Sequence, residues 1–194
     1  MNARLIAKAA LYEGFLKVYR CEVEVQKHSG GHERQVWEVM ERGHSVAVLG
    51  YDLHRDEVVL ICEFRPGVLL AGDHPYTDNL VAGGINAGET VLAAAVREMK
   101  EETDLDLSDP IVIHPGAFVS SGGTSEKIAI VAGFVNTAGA GGVHGHAQER
   151  EDILTVVLSA TEFISRVRHG QITDLKTMIA GYWLDEHRER LRGR

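Results

Sequence analysis

The chain has 194 residues, of which 44% are hydrophobic and 25% charged, and its formal net charge is −8 at pH 7. This composition is typical of a globular protein with one domain, or with one domain and an extension, and is sufficient to bury a core. The negative charge argues against a nucleic-acid backbone as partner, because contacts with phosphates need a basic surface.

The sequence shows no sign of a membrane segment or of export. No apolar run approaches the roughly 18 residues of a spanning helix, and the N-terminus lacks the apolar core of a signal peptide. Cys21 and Cys62 have the spacing of neither a metal site nor a redox motif, so we expect both to be small buried residues. We therefore expect a cytoplasmic protein that contacts no membrane.

The N-terminal residues 1–43 are predicted to form three β-strands. Residues 5–11 and 15–25 are alternating or apolar runs separated by a short turn, which is typical of a β-hairpin. A third strand is predicted over residues 35–41. Three strands bury too little apolar surface to be stable alone. We expect them to pack on the main domain or on a second subunit.

Residues 44–194 are predicted to form the main domain. Strands are expected over 45–51, 57–64, 80–82, 111–113, 117–119, 127–135 and 153–158, with a loop over 66–78. Helices are expected from about Thr90, over 160–169, and over 174–190. The last helix has an apolar stripe formed by Leu175, Met178, Ile179, Trp183 and Leu184. Residues 136–150 are predicted to be an exposed, mobile loop. This order favours an α/β (α+β) fold with a mixed sheet sandwiched between helices.

The helix within residues 80–105 carries an unusual group of carboxylates. A predicted core-facing stripe is formed by Leu92, Val96, Met99 and Thr103. Glu98 and Glu102 lie side by side at the edge of this stripe, whereas Glu101 points further toward solvent. Like charges four residues apart cost roughly 0.2–0.5 kcal/mol, so the pair suggests a bound hard cation. A solvated, Glu-rich helix end is the alternative and is the commoner case for such a segment taken alone.

The spacing of the whole segment resembles the Nudix box. Gly83 is followed after five residues by Glu89, and after seven more by REMKEETDL at 97–105. Only the late glycine of the box is replaced, by Asp104, and Asp is among the few residues that tolerate a left-handed backbone. By this resemblance the chain is identified as a member of the Nudix family, which implies a Nudix fold with an N-terminal antiparallel extension.

The flanking segments narrow the resemblance to the bacterial ADP-ribose diphosphatases of this family. The similar segments are LYEGF at 11–15, ERGH at 41–44, RDEVVLI at 55–61, GGTSE at 122–126 and EREDI at 149–153. The resemblance implies hydrolysis of ADP-ribose to AMP and ribose 5-phosphate by a domain-swapped homodimer. Two alternatives remain: an enzyme for another nucleoside diphosphate sugar, such as GDP-mannose or ADP-glucose, and a non-catalytic module that binds a nucleotide.

Pyrophosphate hydrolysis needs neutralised anionic oxygens, an activated water and a stabilised leaving phosphate, all of which divalent ions supply. We expect Mg²⁺ or Mn²⁺ held by Glu98, Glu102 and the carbonyl of Ala82. Glu101 is predicted to bridge a second ion, with a surface carboxylate as the alternative. Arg97 is placed to pair with Glu101 or to orient Glu89, which is expected to fix the glycine-rich loop.

Two further carboxylates lie outside the box. Glu149 and Glu151 alternate before the last strand, so both side chains are expected on one side. By resemblance, Glu149 is the catalytic base on a mobile loop and Glu151 a further metal ligand; solvated charges are the alternative. A base on such a loop completes the site only when substrate is bound.

The substrate-binding candidates come from the resemblance and from side-chain chemistry. Arg65 matches the phosphate-binding arginine of the family, and its forked guanidinium suits a diphosphate. Trp37 is a candidate platform for adenine stacking, worth about 1–3 kcal/mol, with Glu38 as its hydrogen-bonding neighbour. Packing at a dimer interface is an equally plausible role for Trp37.

Residues 121–126 resemble the substrate-side loop of the family. Ser121 stands where these enzymes usually have proline; it precedes Gly122, and Glu126 is a candidate contact for the terminal ribose. Asn79, Asn86 and Ala87 replace residues that are often acidic in the family, which could weaken a second or third ion.

The ten histidines of the sequence invite a zinc hypothesis. His144 and His146 lack third and fourth ligands at a recognisable spacing, so loop polarity is the favoured interpretation over zinc binding.

Overall fold

The structure, a computed structural model, describes residues 1–145 and 152–193. These residues form eleven strands and four helices. The strands are β1 (Ala3–Glu13), β2 (Lys17–Gln26), β3 (His32–Glu41), β4 (Ser45–Asp52), β5 (Glu57–Phe64), β6 (Tyr76–Asn79), β7 (Val81–Gly84), β8 (Ser108–Phe118), β9 (Lys127–Phe134), β10 (Val143–His144) and β11 (Ile153–Ser159). The helices are α1 (Pro66–Ala71), α2 (Val91–Thr103), α3 (Ala160–Arg168) and α4 (Leu175–Arg192).

The chain divides into two compact units. The first consists of Met1–His44 and Ala117–Lys127, and the second of Ser45–Gly116 and Ile128–Arg194. The sequence had suggested a boundary between residues 43 and 44 but had placed 117–127 in the main domain. The assignment of dimerisation to residues 1–43 and of hydrolysis to 44–194 stays a prediction.

The first unit contains an antiparallel sheet in the order β1-β2-β3. The predicted hairpin and third strand are both present, and β3 begins earlier than expected. Residues 117–127 join this unit through β3, since Met40 donates its N–H to the Gly123 carbonyl at 2.9 Å and accepts from the Ser125 N–H at 3.1 Å. These contacts join residues that are far apart in the sequence, so no local sequence pattern predicts them.

The second unit is built on a mixed sheet in the order β10-β11-β5-β4-β9-β8, with β6 paired to β5 and β7 to β4. Strands β4 and β9 run parallel, whereas β5, β7 and β11 form antiparallel pairs. Side chains alternate along β4, so Ala47 and Leu49 join a core with α3 and α4 while Val46 and Val48 join a core with α2. The predicted sheet between helices is therefore confirmed.

The segment between β5 and β7 is more regular than predicted. The expected loop over 66–78 contains α1 and β6. Pro66 opens α1, where the missing N–H of proline costs no hydrogen bond, and Gly72 ends it with a left-handed φ of 88°. Proline and glycine often indicate a loop, but here Pro66 and Gly72 mark the two ends of a helix.

Two further boundaries differ from prediction. Strand β8 is continuous, although two short strands were expected over 111–113 and 117–119. The loop predicted to be exposed over 136–150 contains the short strand β10, and Thr137 within it is buried, with 5% of its surface exposed. Its polar groups are satisfied there, because the N–H donates to Asp52 at 2.9 Å and the hydroxyl lies 2.9 Å from Asp52 and 2.5 Å from Glu57.

The predicted helix faces were partly wrong. On α2, Leu92 and Val96 are 38% and 40% exposed, and the buried face is formed by Ala94, Ala95, Glu98, Met99, Glu102 and Thr103. On α4, Leu175 and Ile179 are exposed, and the buried face is formed by Thr177, Ala180, Gly181, Leu184 and Leu191. Of the predicted stripes, Met99 and Thr103 on α2 and Leu184 on α4 are buried as expected.

Cys21 and Cys62 are free and half-buried, so neither is the fully buried residue that the sequence predicted. Within residues 1–145 and 152–193, no helix is both long and apolar enough to span a membrane.

Candidate active site

The site is built where β7 lies against the buried face of α2, at Glu98 and Glu102. Strand β7 pairs antiparallel with β4, which aligns Ala82 with Ala47. Thr90 caps α2 by accepting a hydrogen bond from the Ala93 N–H at 3.2 Å. Asp104 ends the helix in a left-handed conformation with φ of 56°, as its position in the box predicts, and its carbonyl accepts from Lys100 at 3.0 Å. Hydrogen bonds therefore fix both ends of α2.

Two carboxylates of α2 are buried beneath β7. Glu98 and Glu102 are only 8% and 4% exposed. The sequence had placed them at the edge of the apolar stripe, but they lie within the buried face. A Cβ atom built on Gly83 would overlap the Glu98 carboxylate, and the Ala82 N–H donates to Glu102 Oε2 at 3.2 Å. The glycine of β7 is therefore what allows the strand backbone to lie directly against the carboxylates.

Arg97 organises the polar side of this arrangement. Its Nη1 donates to Glu98 Oε1 at 2.7 Å and to Glu101 Oε2 at 2.8 Å. Its Nε and Nη2 donate to the two oxygens of Glu89 at 2.9 and 3.0 Å, and Nη2 also donates to the Gly84 carbonyl at 2.9 Å. All five N–H groups of the guanidinium are used. Both contacts that the sequence suggested for Arg97, with Glu101 and with Glu89, are present.

Glu89 closes the glycine-rich turn. It accepts the Asn86 N–H through Oε2 at 2.9 Å as well as the bidentate pair from Arg97. These hydrogen bonds, first those from Arg97 and then that from Asn86, lower the pKa of Glu89 to about 2. Glu89 is therefore ionised near neutral pH and ties the turn to the helix, as its position predicted.

Arg65 belongs to the second unit and is the N-cap residue of α1. Its backbone N–H donates to the Pro75 carbonyl at 2.8 Å, and its guanidinium contacts the Glu63 carboxylate. Asn79, which stands at a position often acidic in related proteins, is buried and donates to the Thr77 carbonyl at 2.8 Å. The side chain of Arg65 is about one-third exposed, so its guanidinium is accessible to a ligand.

The remaining substrate-binding candidates belong to the first unit. The side chain of Trp37 is half-exposed, and its indole N–H donates to Gln35 at 3.0 Å, while the neighbouring Glu38 is exposed. Ser121 and Gly122 are exposed within a turn closed by the Gly123 N–H and the Ser120 carbonyl at 3.0 Å.

Glu126 differs from these exposed candidates because it is buried, with 7% of its surface exposed. Its carboxylate lies 3.8 Å from the Arg42 guanidinium within the first unit. A contact between Glu126 and a ribose would therefore form inside a mostly enclosed environment.

The NUDIX domain model matches residues 43–168. The chain belongs to the Nudix family. It is 36% identical over 195 aligned residues to an ADP-ribose pyrophosphatase of Escherichia coli, which covers 98% of this chain and 91% of the relative. It is 29% identical to an ADP-ribose pyrophosphatase of Haemophilus influenzae, covering 94% and 86%.

More distant similarities agree with this family. A GDP-mannose pyrophosphatase of Klebsiella pneumoniae is 26% identical, covering 92% of this Nudix chain and 89% of the relative. A solved structure titled "Crystal structure of ADP compounds hydrolase" superposes with a TM-score of 0.72 at 19% identity and covers 96% of both chains. This last similarity concerns the fold.

The family implies a divalent metal, and the box of this Nudix protein fits part of its ligand set. Glu98 and Glu102 provide two buried carboxylates against a glycine strand, which is the oxygen-rich environment that hard cations prefer. Among residues 1–145 and 152–193, no three His, Cys, Asp or Glu side chains are grouped to hold an ion. Glu149, Glu151 and His146 lie outside the described residues. His144, which the sequence suggested as a possible zinc ligand, contacts the Gly141 carbonyl through its Nε2 at 3.0 Å.

One residue at this site gave no signal in the sequence of the Nudix protein. The hydroxyl of Thr177, on α4, accepts the buried N–H of Leu80 at the entrance to β7. The two residues are 97 positions apart in the chain, so neither periodicity nor a local motif could reveal the contact.

Proposed function

We propose that this protein hydrolyses the pyrophosphate bond of ADP-ribose, giving AMP and ribose 5-phosphate, with Mg²⁺ or Mn²⁺ as cofactor. The observation that carries the reaction is the buried pair Glu98 and Glu102 beneath the glycine strand β7. The substrate is supported by the 36% identity with the Escherichia coli ADP-ribose pyrophosphatase over 98% of this chain.

The proposed metal ligands are the carboxylates of Glu98, Glu102 and Glu151 and the carbonyl of Ala82. When bound, the ions neutralise the pyrophosphate oxygens and favour ionisation of the attacking water. Glu98 and Glu102 are suited to this role because burial keeps water from competing for their oxygens. The Ala82 N–H, by donating to Glu102, holds one carboxylate in register with the strand.

Arg97 and Glu101 are proposed to complete the catalytic group with Glu149. Arg97 restrains Glu98 and Glu101 through its Nη1, which keeps the two carboxylates close together. Glu149 is proposed as the general base that takes the proton of the attacking water, an assignment that rests on the family resemblance.

Six residues are proposed for substrate recognition. Arg65 is a suitable partner for the diphosphate because a guanidinium binds two oxygens at once. Trp37 offers an exposed ring for stacking on adenine, with Glu38 as a hydrogen-bond acceptor. Ser121, Gly122 and Glu126 are proposed to contact the terminal ribose.

We also propose that the active form is a domain-swapped homodimer. Every residue of β1 is exposed, and so are several large apolar side chains of the first unit. They include Leu5, Leu11, Tyr12, Phe15, Val36 and Trp37. Light scattering after gel filtration tests the assembly: a monomer at micromolar concentration rules it out. A cytoplasmic location stays a prediction from the sequence.

A second candidate substrate is GDP-mannose, favoured by the 26% identical GDP-mannose pyrophosphatase of Klebsiella pneumoniae. One assay separates the candidates. The protein is incubated with ADP-ribose, ADP-glucose or GDP-mannose and Mg²⁺, and nucleoside monophosphate release is measured. We expect the highest kcat/KM with ADP-ribose. Preference for GDP-mannose contradicts the substrate, and binding of ADP-ribose without hydrolysis of any compound indicates a binding module.

A further inference from the structure

The chain changes its partner in the sheet at Leu80. Up to Asn79 it pairs with β5, through Asn79 and Ile61, and from Val81 onward it pairs with β4, through Val81 and Val48. Leu80 lies between these two ladders and is completely buried. Water therefore does not reach its N–H, which needs an acceptor inside the protein.

Thr177 supplies that acceptor from the first turn of α4. Its Oγ1 lies 3.0 Å from the Leu80 nitrogen, and the residue is completely buried. The hydroxyl has one proton, and it is donated to Asp174 Oδ2 at 2.5 Å, because a carboxylate can only accept. The oxygen lone pairs of Thr177 are therefore directed away from Asp174 and remain for the Leu80 N–H.

Asp174 is itself held in place. Its Oδ2 caps α4 by accepting the Thr177 N–H at 3.0 Å, and its Oδ1 accepts from Lys176 at 2.8 Å. The orientation of the Thr177 hydroxyl is thus determined by the helix cap. A chain of hydrogen bonds runs from Lys176 through Asp174 and Thr177 to Leu80.

This series of hydrogen bonds ends at Leu80, which lies two residues before Ala82 and three before Gly83. Ala82 donates to Glu102, and Gly83 lies against Glu98 with no room for a Cβ atom. A displacement of the strand by a few tenths of an ångström would consequently change the contacts of both carboxylates. Leu80 is the point where such a displacement is most easily introduced, because neither ladder holds it.

We propose that Thr177 is a positioning residue that fixes the distance between β7 and the carboxylates of Glu98 and Glu102. Through this distance it determines the affinity of the site for a divalent cation. The inference rests on the proposed function for its effect on turnover. It requires no contact between Thr177 and the substrate or the metal. The N-terminal cap of α4 would then help to form the site, although α4 packs on the opposite face of the sheet from α2.

The test compares Thr177→Val with Thr177→Ser. Valine keeps the shape and removes the acceptor, whereas serine keeps the hydroxyl and loses one methyl group. Mn²⁺ affinity is measured by calorimetry and by the metal-induced rise in Tm. We expect an approximately tenfold weaker Mn²⁺ affinity for Thr177→Val and near wild-type affinity for Thr177→Ser. Thr177→Ala is used if the valine variant fails to fold.

Two further readouts separate positioning from loss of stability. Amide hydrogen exchange at Leu80 should accelerate in Thr177→Val and be restored in Thr177→Ser. In the ADP-ribose assay, Thr177→Val should need more Mn²⁺ for half-maximal rate but keep the wild-type KM for substrate at saturating metal. Unchanged Mn²⁺ affinity in a folded Thr177→Val protein overturns the inference.

Thr137→Val is the matched control. This buried threonine also contacts carboxylates: its N–H donates to Asp52, and its hydroxyl lies within hydrogen-bond distance of Asp52 and Glu57. It lies at the far end of β4 from β7. It should lower Tm without changing Mn²⁺ affinity; an equal loss of affinity in this control overturns a specific role for Thr177. If the wild-type protein hydrolyses no ADP-ribose, the proposed function fails, whereas the Mn²⁺ and exchange measurements still decide the role of Thr177.

Discussion

The Nudix box and the N-terminal sheet differ in how far each completes its own structure. In the box, Glu98 and Glu102 are buried, and Arg97 uses every donor on neighbours within the same segment. In the N-terminal sheet, β1 is exposed along its whole length, and Phe15 is 92% exposed. The charged groups of the box therefore find most of their partners within the box itself. The N-terminal sheet, in contrast, leaves a large surface exposed to solvent.

This difference suggests a division of labour in the proposed reaction. The box concentrates carboxylates where burial strengthens their interaction with cations, which concerns the chemical step. The N-terminal unit presents an exposed indole and an exposed turn, which concern recognition. Changes in the box should therefore lower kcat or metal affinity, and changes in the N-terminal unit should raise KM.

The largest effect is expected from Glu98→Gln. The amide keeps the shape of the side chain but removes the charge that would hold the ion, so kcat/KM for ADP-ribose should fall at least about 100-fold. Steady-state AMP release measures it. Glu186→Gln, at a side chain that is 79% exposed on α4, should retain full activity. Near-normal activity of a folded Glu98→Gln protein rules out the proposed metal site.

Gly83→Ala is expected to act next most strongly, and Gly84→Ala is its matched control. The new methyl group at residue 83 overlaps the Glu98 carboxylate, whereas a Cβ at residue 84 meets open space. Overpacking of this kind costs about 1–3 kcal/mol, so Gly83→Ala should lower Mn²⁺ affinity about tenfold or more. Calorimetric titration of both variants gives the comparison. Equal Mn²⁺ affinities would show that close packing of β7 is irrelevant to the site.

Trp37→Ala tests the other region. Loss of a stacking surface worth about 1–3 kcal/mol should raise KM for ADP-ribose roughly tenfold and leave kcat nearly unchanged. Kinetics are measured together with light scattering, so that a change in assembly is detected. A fall in kcat at constant KM with intact assembly would break the proposed division between the two regions.

The smallest effect on activity is expected from Asp56→Asn, because Asp56 belongs neither to the box nor to the N-terminal sheet. Asp56 binds Arg188 and Tyr51, and hydrogen bonding from Arg188 lowers the pKa of its carboxyl. A depressed pKa stabilises the folded state above the unfolded-state value of about 3.9, and this contribution is lost as pH falls. Asparagine tolerates the left-handed φ of 57° at this position, so the change isolates the charge.

For Asp56→Asn we expect unfolding free energy to fall by about 1 kcal/mol at pH 7, with a smaller difference from wild type at pH 3. Urea unfolding at the two pH values measures this difference, and AMP release should be unchanged. A difference that grows as pH falls contradicts the assignment. The variant also shows how much kinetic change a loss of stability alone can cause.

Local chemistry made much of the box predictable. Thr90 as helix cap, Asp104 in a left-handed conformation and Arg97 between Glu89 and Glu101 all depend on residues at most twelve positions apart. The predicted inner face of α2 was only partly right: Met99 and Thr103 are buried, whereas Leu92 and Val96 are exposed and Ala94 and Ala95 are buried in their place.

The sequence by itself determined the family, the clustering of carboxylates in the box and the order of most strands, because these depend on spacing, periodicity and turn chemistry. Only the tertiary structure decided that 117–127 joins the N-terminal unit, that Gly83 lies against Glu98, and that Thr177 holds Leu80. The first and third of these contacts join residues that are distant in the chain, and the second joins a strand to a helix within the box. They exist because buried polar groups must find partners wherever the packed layers bring them together.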